Sequence, residues 1–221
     1  MTAIPTTKMA EQVEINSGSL LLNGELKVPA QATGIVLFAH GSGSSRHSPR
    51  NQYVASVIRQ AGLGTLLFDL LTREEEAIDN FTRELRFDIN LLAYRLIDAT
   101  NWLAGRDETG KLRPGYFGAS TGGGAALVAA AELGDRVGAV VSRGGRPDLA
   151  GEALPHVKAP TLLIVGGFDG PVIRMNEDAY AALQCVKQLE IVPGATHLFE
   201  EPGKLEKVAS LAANWFVKHL H

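Results

Sequence analysis

Short apolar runs alternate with longer segments of helical periodicity along most of this 221-residue chain. Residues 33–40 (TGIVLFAH) and 64–70 (GTLLFDL) are apolar over nearly their whole length, which is typical of strands covered on both faces. Between them a helix is predicted from Ser48-Pro49 onward, because serine can cap a helix and proline suits its first position. Strand–helix alternation of this kind predicts an α/β fold, with a mostly parallel sheet and helices on both faces. We therefore expect one domain over residues 1–221.

The same alternation extends toward both ends of the chain. Residues 12–28 predict two strands around Gly18, with Asn23-Gly24 as a turn signal inside the second strand. The charged stretch 72–87 is interpreted as a solvated loop or the start of a helix, with an acidic binding surface as the alternative. The remaining predicted strands are 113–120, 136–142, 160–167 and 187–194, and the remaining predicted helices run from Ile89 onward, over 122–133, around 176–184 and over 203–219.

Composition excludes several classes of protein. Hydrophobic residues make up 45% of the chain and charged residues 20%, which are ordinary values for a globular protein and unlike those of a disordered one. The net charge of −3, with acids and bases mixed, gives no sign of a nucleic-acid partner. A single cysteine, Cys185, excludes an internal disulfide and suggests a reducing compartment.

Targeting and membrane signals are also missing from the sequence. The first residues lack a basic, apolar leader, and no apolar run approaches the ~18 residues that a membrane span requires. We therefore expect a cytoplasmic protein without a membrane partner, and a loosely ordered segment over residues 1–11.

The strongest chemical signal is Gly118-Ala119-Ser120-Thr121-Gly122, which stands between a predicted strand and a predicted helix. This is the G-x-S-x-G nucleophile elbow in the strand–turn–helix context that the motif requires. The elbow forces its serine into a strained conformation, so the residues two before and two after it must be small. The alternative is a glycine-rich turn that only packs tightly, or that binds phosphate at the helix N-terminus.

Candidate partners of Ser120 follow it in the order acid, then histidine, which hydrolases with this elbow use. Asp169 follows one buried strand and His197 follows the next. Because the carboxyl ends of parallel strands meet at one edge of a sheet, we expect the three side chains to lie together. Asp148, which follows the preceding strand, is the alternative acid, although it can equally be a helix cap or a turn residue.

A glycine-rich loop, Ala39-His40-Gly41-Ser42-Gly43, follows the first long buried strand. A loop at this place normally supplies one backbone N–H of an oxyanion hole, and the residue after the nucleophile supplies the other. The backbone amides of Ser42 and Thr121 are therefore the candidates. The loop could instead bind phosphate, but no phosphate-binding glycine pattern is present. We interpret His40 as a structural hydrogen-bonding residue that holds the loop, with a role as proton carrier as the alternative.

Three segments carry a family resemblance: HGSGSSRHSPRN (40–51), FDLLTREEE (68–76) and HLFEEPG (197–203). They resemble the hydrolase segment that is found fused to phosphoribosyltransferases. From about Val13 to Leu220 the chain resembles a small serine α/β-hydrolase of the dienelactone hydrolase-like group, which implies the α/β-hydrolase fold. Dienelactone hydrolases proper carry a cysteine nucleophile, so serine at this place favours general ester hydrolysis. Cys185 lies elsewhere and is expected to be an inert thiol.

Two further features bear on the substrate. The connection between the strands ending at Ser142 and starting at Pro160 is too short for a helical cap, so we expect an open site. Arginines also cluster at the expected catalytic edge, where Arg46 and Arg143 are candidates for binding an anionic substrate, and Arg50 and Arg146 lie nearby in sequence. The resemblance implies such a role, since dienelactone hydrolases use arginine to hold a substrate carboxylate. Surface charge or salt bridges are the alternative.

These residues together predict a carboxylesterase-type serine hydrolase. Ser120 would attack the ester, His197 would act as the base, and Asp169 would orient the imidazole. The expected substrate is a small ester with a short acyl chain, and no metal or organic cofactor is implied. The alternatives are another hydrolase on the same residues (a thioesterase, a lactonase or dienelactone hydrolase-like enzyme, or a perhydrolase) and a binding module without catalytic activity.

Overall fold

The structure is a computed structural model and describes residues 10–221. Within that range one sheet contains β1 (Glu11–Ser17), β2 (Leu20–Lys27), β3 (Gly34–Ala39), β4 (Gly64–Phe68), β5 (Arg113–Ala119), β6 (Ala139–Arg143), β7 (Thr161–Gly166) and β8 (Lys187–Val192). Their spatial order is β1-β2-β4-β3-β5-β6-β7-β8. The first two strands pair antiparallel and β2 joins β4 antiparallel, whereas every pair from β4 through β8 is parallel. The mostly parallel sheet expected from the sequence is confirmed.

Helices cover both faces of the sheet. They are α1 (Pro49–Gln60), α2 (Arg73–Thr82), α3 (Ile89–Ala104), α4 (Thr121–Leu133), α5 (Gly170–Ala182) and α6 (Lys204–His219). α1 and α6 bury their apolar stripes on one face, through residues such as Ile58 and Phe216. α3 and α4 bury theirs on the other face, through residues such as Leu96 and Leu127. None of the helices described in residues 10–221 is long and apolar enough to cross a membrane.

The antiparallel pair β1–β2 differs in one detail from the sequence prediction. Two strands do flank Gly18, whose φ of 58° suits the reversal between them. Asn23-Gly24 is not a turn, however, because both residues lie inside β2 and pair with β1. A Cβ atom on Gly24 would come within 3.2 Å of the Phe68 Cβ atom, so this glycine permits close packing instead. Of the segment expected to be loosely ordered, Glu11 begins β1, and residues 1–9 lie outside the described residues.

The charged stretch 72–87 contains the start of α2. The sequence predicts either a solvated loop or the start of a helix here. Thr72 caps α2 in a reciprocal capping box, in which its hydroxyl accepts from the Glu75 backbone N–H and the Glu75 carboxylate accepts from the Thr72 backbone N–H. Between β6 and β7, the chain forms only 3₁₀ turns over Pro147–His156, so no cap covers the carboxyl edge of the sheet at that point.

Candidate active site

Ser120 lies at a sharp turn between β5 and α4, with φ of 52° and ψ of −122°. Such a conformation is strained for a residue with a side chain. The chain can make this turn only with glycines beside it. A Cβ atom on Gly118 would lie 2.4 Å from the Gly122 carbonyl oxygen, and one on Gly122 would lie 2.2 Å from the Ala39 carbonyl oxygen. The spacing of the motif is therefore required by backbone contacts on both sides of the serine.

Asp169 and His197 come together at the same edge of the sheet. Asp169 follows β7, His197 follows β8, and the His197 Nδ1 atom lies 2.6 Å from the Asp169 Oδ2 atom. In the neutral imidazole, Nδ1–H donates to the carboxylate, which leaves Nε2 free to accept a proton. The imidazole also lies against Gly144, where a Cβ atom would be 3.4 Å from the ring. The structure thus places the acid and the histidine in the relation that the sequence predicted.

Asp148, the alternative acid, lies elsewhere. Its carboxylate accepts two hydrogen bonds from the Arg146 guanidinium, at 2.8 and 2.7 Å, on the protein surface. This pairing follows from the short spacing of the two residues in the turn after β6. The structure therefore brings Asp169, and not Asp148, to His197.

The loop that carries His197 (residues 193–203) is held by two residues that no sequence pattern singled out. Phe199 has a φ of 57° although it is not glycine, and its buried side chain anchors the loop in the core. The Glu201 carboxylate accepts hydrogen bonds from the Thr196 backbone N–H at 3.1 Å, and these bonds lower the pKa of Glu201. The loop is therefore fixed on both sides of His197. The Glu201 carboxylate binds the residue before it, and the strained backbone of Phe199 lies two residues after it.

The loop between β3 and α1 (residues 40–48) packs directly against Ser120. A Cβ atom on Gly41 would lie 3.1 Å from the Ser120 Cβ atom, so glycine makes this close approach easier than a larger residue would. The hydroxyls of Ser42 and Thr121, whose backbone amides are the oxyanion-hole candidates, lie 3.1 Å apart in a hydrogen bond. This bond ties the loop to the start of α4 and fixes the two backbone segments relative to each other.

A cavity of about 180 Å³ contains both Ser120 and His197. Within the described residues the Ser120 hydroxyl has no hydrogen-bond partner, and bonds of this kind often tighten only when a substrate is bound. Arg50, Asn51 and Arg143 line the same cavity. It therefore combines a serine, an imidazole and two guanidinium groups in one concave site.

Arg143 is the most unusual charged group in this cavity. It is only 6% exposed, and its Nε atom has no hydrogen-bond partner among residues 10–221. Burial, together with the charge of Arg50, lowers the pKa of Arg143 to about 10. Arg50 itself is paired with Glu200 at 2.9 Å. A buried cation without a counterion is costly, so the site has an unbalanced positive charge next to Ser120.

Comparisons with known proteins identify the family of the chain. The family model described as "Dienelactone hydrolase family" matches residues 22–219. The chain belongs to the dienelactone hydrolase family. A crystal structure of a dienelactone hydrolase from Anabaena variabilis is 65% identical, covers 97% of this chain and 99% of its own, and superposes with a TM-score of 0.95. This dienelactone hydrolase family member accordingly has the α/β-hydrolase fold.

Two other proteins are similar to this chain, one in sequence and one in structure. A Mycobacterium tuberculosis protein named as a phosphoribosyl transferase is 60% identical over 210 residues, which is 95% of this chain and 46% of that protein. The chain thus spans about half the length of the curated relatives it matches. An α/β serine hydrolase without a lid from Xanthomonas campestris is 20% identical and shares the fold, with a TM-score of 0.75 over 97% of this chain and 96% of its own.

His40 and Asp69 hold the β3–α1 loop of this dienelactone hydrolase family member to the end of β4. The His40 Nε2 atom accepts from the Leu70 backbone N–H at 3.0 Å, and Nδ1–H donates to the Gly41 carbonyl at 3.1 Å. Asp69 accepts from the Arg46 backbone N–H at 2.8 Å and also binds the Arg46 guanidinium. The hydrogen bonds of His40 agree with its interpretation as a residue that holds the loop.

These contacts predict an acid-sensitive stability. Burial lowers the pKa of His40, so the folded protein keeps this imidazole neutral where the unfolded chain protonates it. The unfolded pKa is about 6.5, and the stability that depends on neutral His40 is lost as the pH falls from there toward the lowered value. We expect the free energy of unfolding to drop between pH 7.5 and 5, and to drop less in His40→Gln, measured by urea titration at each pH.

A matched control is His47→Gln, because His47 is exposed on the same loop and its side chain makes no contact of this kind. It should show the pH dependence of the wild type. Equal pH slopes for wild type and His40→Gln would contradict the assignment.

Proposed function

We propose that the protein is a serine hydrolase that cleaves short-chain carboxylic esters through an acyl-enzyme on Ser120. The observation that carries the proposal is that Ser120, on its strained turn, shares a cavity with His197, whose Nδ1 atom is 2.6 Å from Asp169. Serine needs a neighbouring base to become a nucleophile, and a base of this kind needs a group that fixes its tautomer. The three residues offer one candidate for each role.

In the proposed mechanism the Ser120 Oγ atom attacks the ester carbonyl carbon while His197 Nε2 takes the hydroxyl proton. The carbonyl oxygen becomes an oxyanion, and the backbone N–H groups of Ser42 and Thr121 are the proposed donors to it. When the C–O bond to the alcohol breaks, the imidazolium returns the proton to the leaving oxygen. A water molecule, deprotonated by the same imidazole, then releases the carboxylic acid and restores the serine.

The size and openness of the cavity support short acyl chains. Its volume is about 180 Å³, and no cap domain between β6 and β7 extends it. Each buried methylene contributes about 0.8 kcal/mol, and this gain ends once the chain is longer than the cavity. We expect kcat/KM to be highest between acetate and hexanoate and to fall for palmitate, measured on a series of p-nitrophenyl esters. A preference for palmitate would contradict the proposal.

A lactone is the second candidate substrate, because the 65% identical Anabaena variabilis protein is named a dienelactone hydrolase. The discriminating assay compares linear esters, thioesters and lactones of equal carbon number under the same conditions. A kcat/KM for lactones more than about tenfold above that for linear esters, which is 1.4 kcal/mol in transition-state stabilisation, would assign the protein to lactone hydrolysis.

We further propose that Arg143 binds an anionic group of the substrate. Its guanidinium is buried in the cavity of Ser120 and has no carboxylate partner within residues 10–221, so a substrate carboxylate would supply the missing charge. Arg46, the other arginine predicted from sequence to bind substrate, is bound to Asp69 and is absent from the lining of this cavity. We therefore assign the anion contact to Arg143 and a loop-holding role to Arg46.

Arg143→Gln should test this assignment. A charge-assisted hydrogen bond contributes about 1.5–3 kcal/mol, so kcat/KM for an ester with a free carboxylate on its acyl chain should fall about tenfold or more. The neutral ester of equal length should change by less than about threefold, and Arg146→Gln, a surface control, should leave both rates unchanged. Equal losses of kcat/KM on the two esters would mean that Arg143 has a structural role and does not bind the substrate anion.

A further inference from the structure

A second cavity, of about 340 Å³, lies at the opposite edge of the sheet from Ser120. It is formed by the end of α3, the loop 105–112 and the start of β5. Arg113 is the first residue of β5, and Ser120 directly follows the last. At about 3.3 Å per residue, this strand separates the two cavities by roughly 20 Å. The second cavity is therefore distinct from the candidate active site.

Every charged side chain that lines this second cavity is a cation. They are Lys111, Arg113 and Arg136. Among residues 10–221, none of the three forms an ion pair, and the Arg136 guanidinium donates only to the neutral Asn101 Oδ1 atom, at 2.6 Å. Three like charges around one cavity repel each other, so an anion placed between them would be favoured.

Two acidic residues near these cations are bound to other partners. The Glu11 carboxylate accepts from Arg106 at 2.9 Å, and Asp135 is paired with Lys158 at 2.9 Å. Asp135 is next to Arg136 in sequence and still pairs away from the cavity. In the described part of the chain, neither of these two carboxylates is paired with a cation that faces the cavity.

The rest of the cavity lining is mostly apolar, and Thr100 and Thr109 are its neutral polar side chains. The Thr100 hydroxyl lies 2.6 Å from the buried Tyr116 hydroxyl. Burial raises the pKa of Tyr116, and the positive charge of Arg136 acts in the opposite direction.

We propose that this cavity binds a small anion that carries two or three negative charges on phosphate groups. Its volume falls within the range of small-molecule sites, and guanidinium and ammonium groups bind phosphate oxygens by charge-assisted hydrogen bonds. A diphosphate or a phosphate monoester matches three cations in charge. Because the cations also contact solvent, the binding should weaken steeply as salt rises. The proposal does not depend on the reaction at Ser120.

Calorimetric titration of the full chain with inorganic pyrophosphate at low salt is the direct test. We expect saturable 1:1 binding that weakens about tenfold in Arg113→Gln and in Arg136→Gln, since each removes one charge-assisted contact of about 1.4 kcal/mol or more. Lys207→Gln is the matched control, because Lys207 is an exposed cation on α6, outside this cavity. Its affinity should stay within about twofold of the wild type.

Two further arms identify the site and the source of the phosphate. Ser120→Ala and Arg143→Gln should bind pyrophosphate as the wild type does, because they alter only the candidate active site. Sedimentation with phosphatidic acid vesicles, against phosphatidylcholine vesicles, tells a lipid headgroup from a free anion. The proposal is overturned by the absence of saturable binding to both probes, by loss of binding in Arg143→Gln alone, or by an equal loss in Lys207→Gln.

Discussion

Ser120→Ala is expected to lower kcat for ester hydrolysis by about 10⁴–10⁶-fold, because the proposed mechanism has no other nucleophile. The fold should be unaffected. Alanine meets the same backbone strain at φ 52° as serine does, and within the described residues the serine hydroxyl makes no hydrogen bond that would be lost. The melting temperatures of wild type and variant should therefore agree within about 2 °C. A substitution that removes no contact lowers the free energy of unfolding by at most about 0.5 kcal/mol.

A second serine of the same cavity provides the control. Ser44 lines the cavity with Ser120, but the mechanism gives its side chain no role, so Ser44→Ala should keep kcat within about threefold. Labelling by a fluorophosphonate should occur in wild type and Ser44→Ala and be absent in Ser120→Ala. If Ser120→Ala retained more than a tenth of the wild-type rate, another group would be the nucleophile. If the wild type neither hydrolysed esters nor reacted with the probe, the protein would be a binding module.

The fold could be predicted because its signals are local. The largely apolar runs of β3, β4, β6 and β7 indicate strands buried on both faces, and each is followed by a helical pattern or a turn. The turn predicted at Asn23-Gly24 was wrong because a turn signal depends only on neighbouring residues. The pairing of β2 with both β1 and β4 depends on residues far away in sequence. The tertiary contacts of Gly24, and not its turn propensity, therefore determine its place inside a strand.

The candidate site was predictable where it depends on chain order and not where it depends on side-chain partners. Ser120, Asp169 and His197 each follow a strand of one parallel sheet, so topology alone brings them to one edge. By contrast, no sequence pattern reveals that Arg46 has Asp69 as a partner while Arg143 has none. Both facts depend on which side chains meet across the sheet. The positive φ of Phe199, which is buried, likewise has no local signature in the sequence.

Asp169→Asn is expected to lower kcat by about 10³–10⁴-fold. The Asp169 carboxylate lies 2.6 Å from the His197 Nδ1 atom and so keeps the proton on that nitrogen. An asparagine in the same place can turn its amide N–H toward Nδ1, which moves the imidazole proton to Nε2. That nitrogen could then no longer accept the proton of Ser120, although the side chains would keep their positions. The measurement is kcat on a p-nitrophenyl butyrate substrate, with the melting temperature as the check on folding.

Asp148→Asn is the matched variant, because Asp148 also follows a strand of the sheet but binds Arg146 on the surface. It should keep kcat within about threefold, since exposed ion pairs contribute little to stability and this one does not touch His197. The comparison of the two variants is decisive because both replace one aspartate charge near the same edge. A larger loss in Asp148→Asn than in Asp169→Asn would move the acid to the turn after β6. It would also mean that the 2.6 Å contact between Asp169 and His197 is structural, and that His197 receives its orientation from another group.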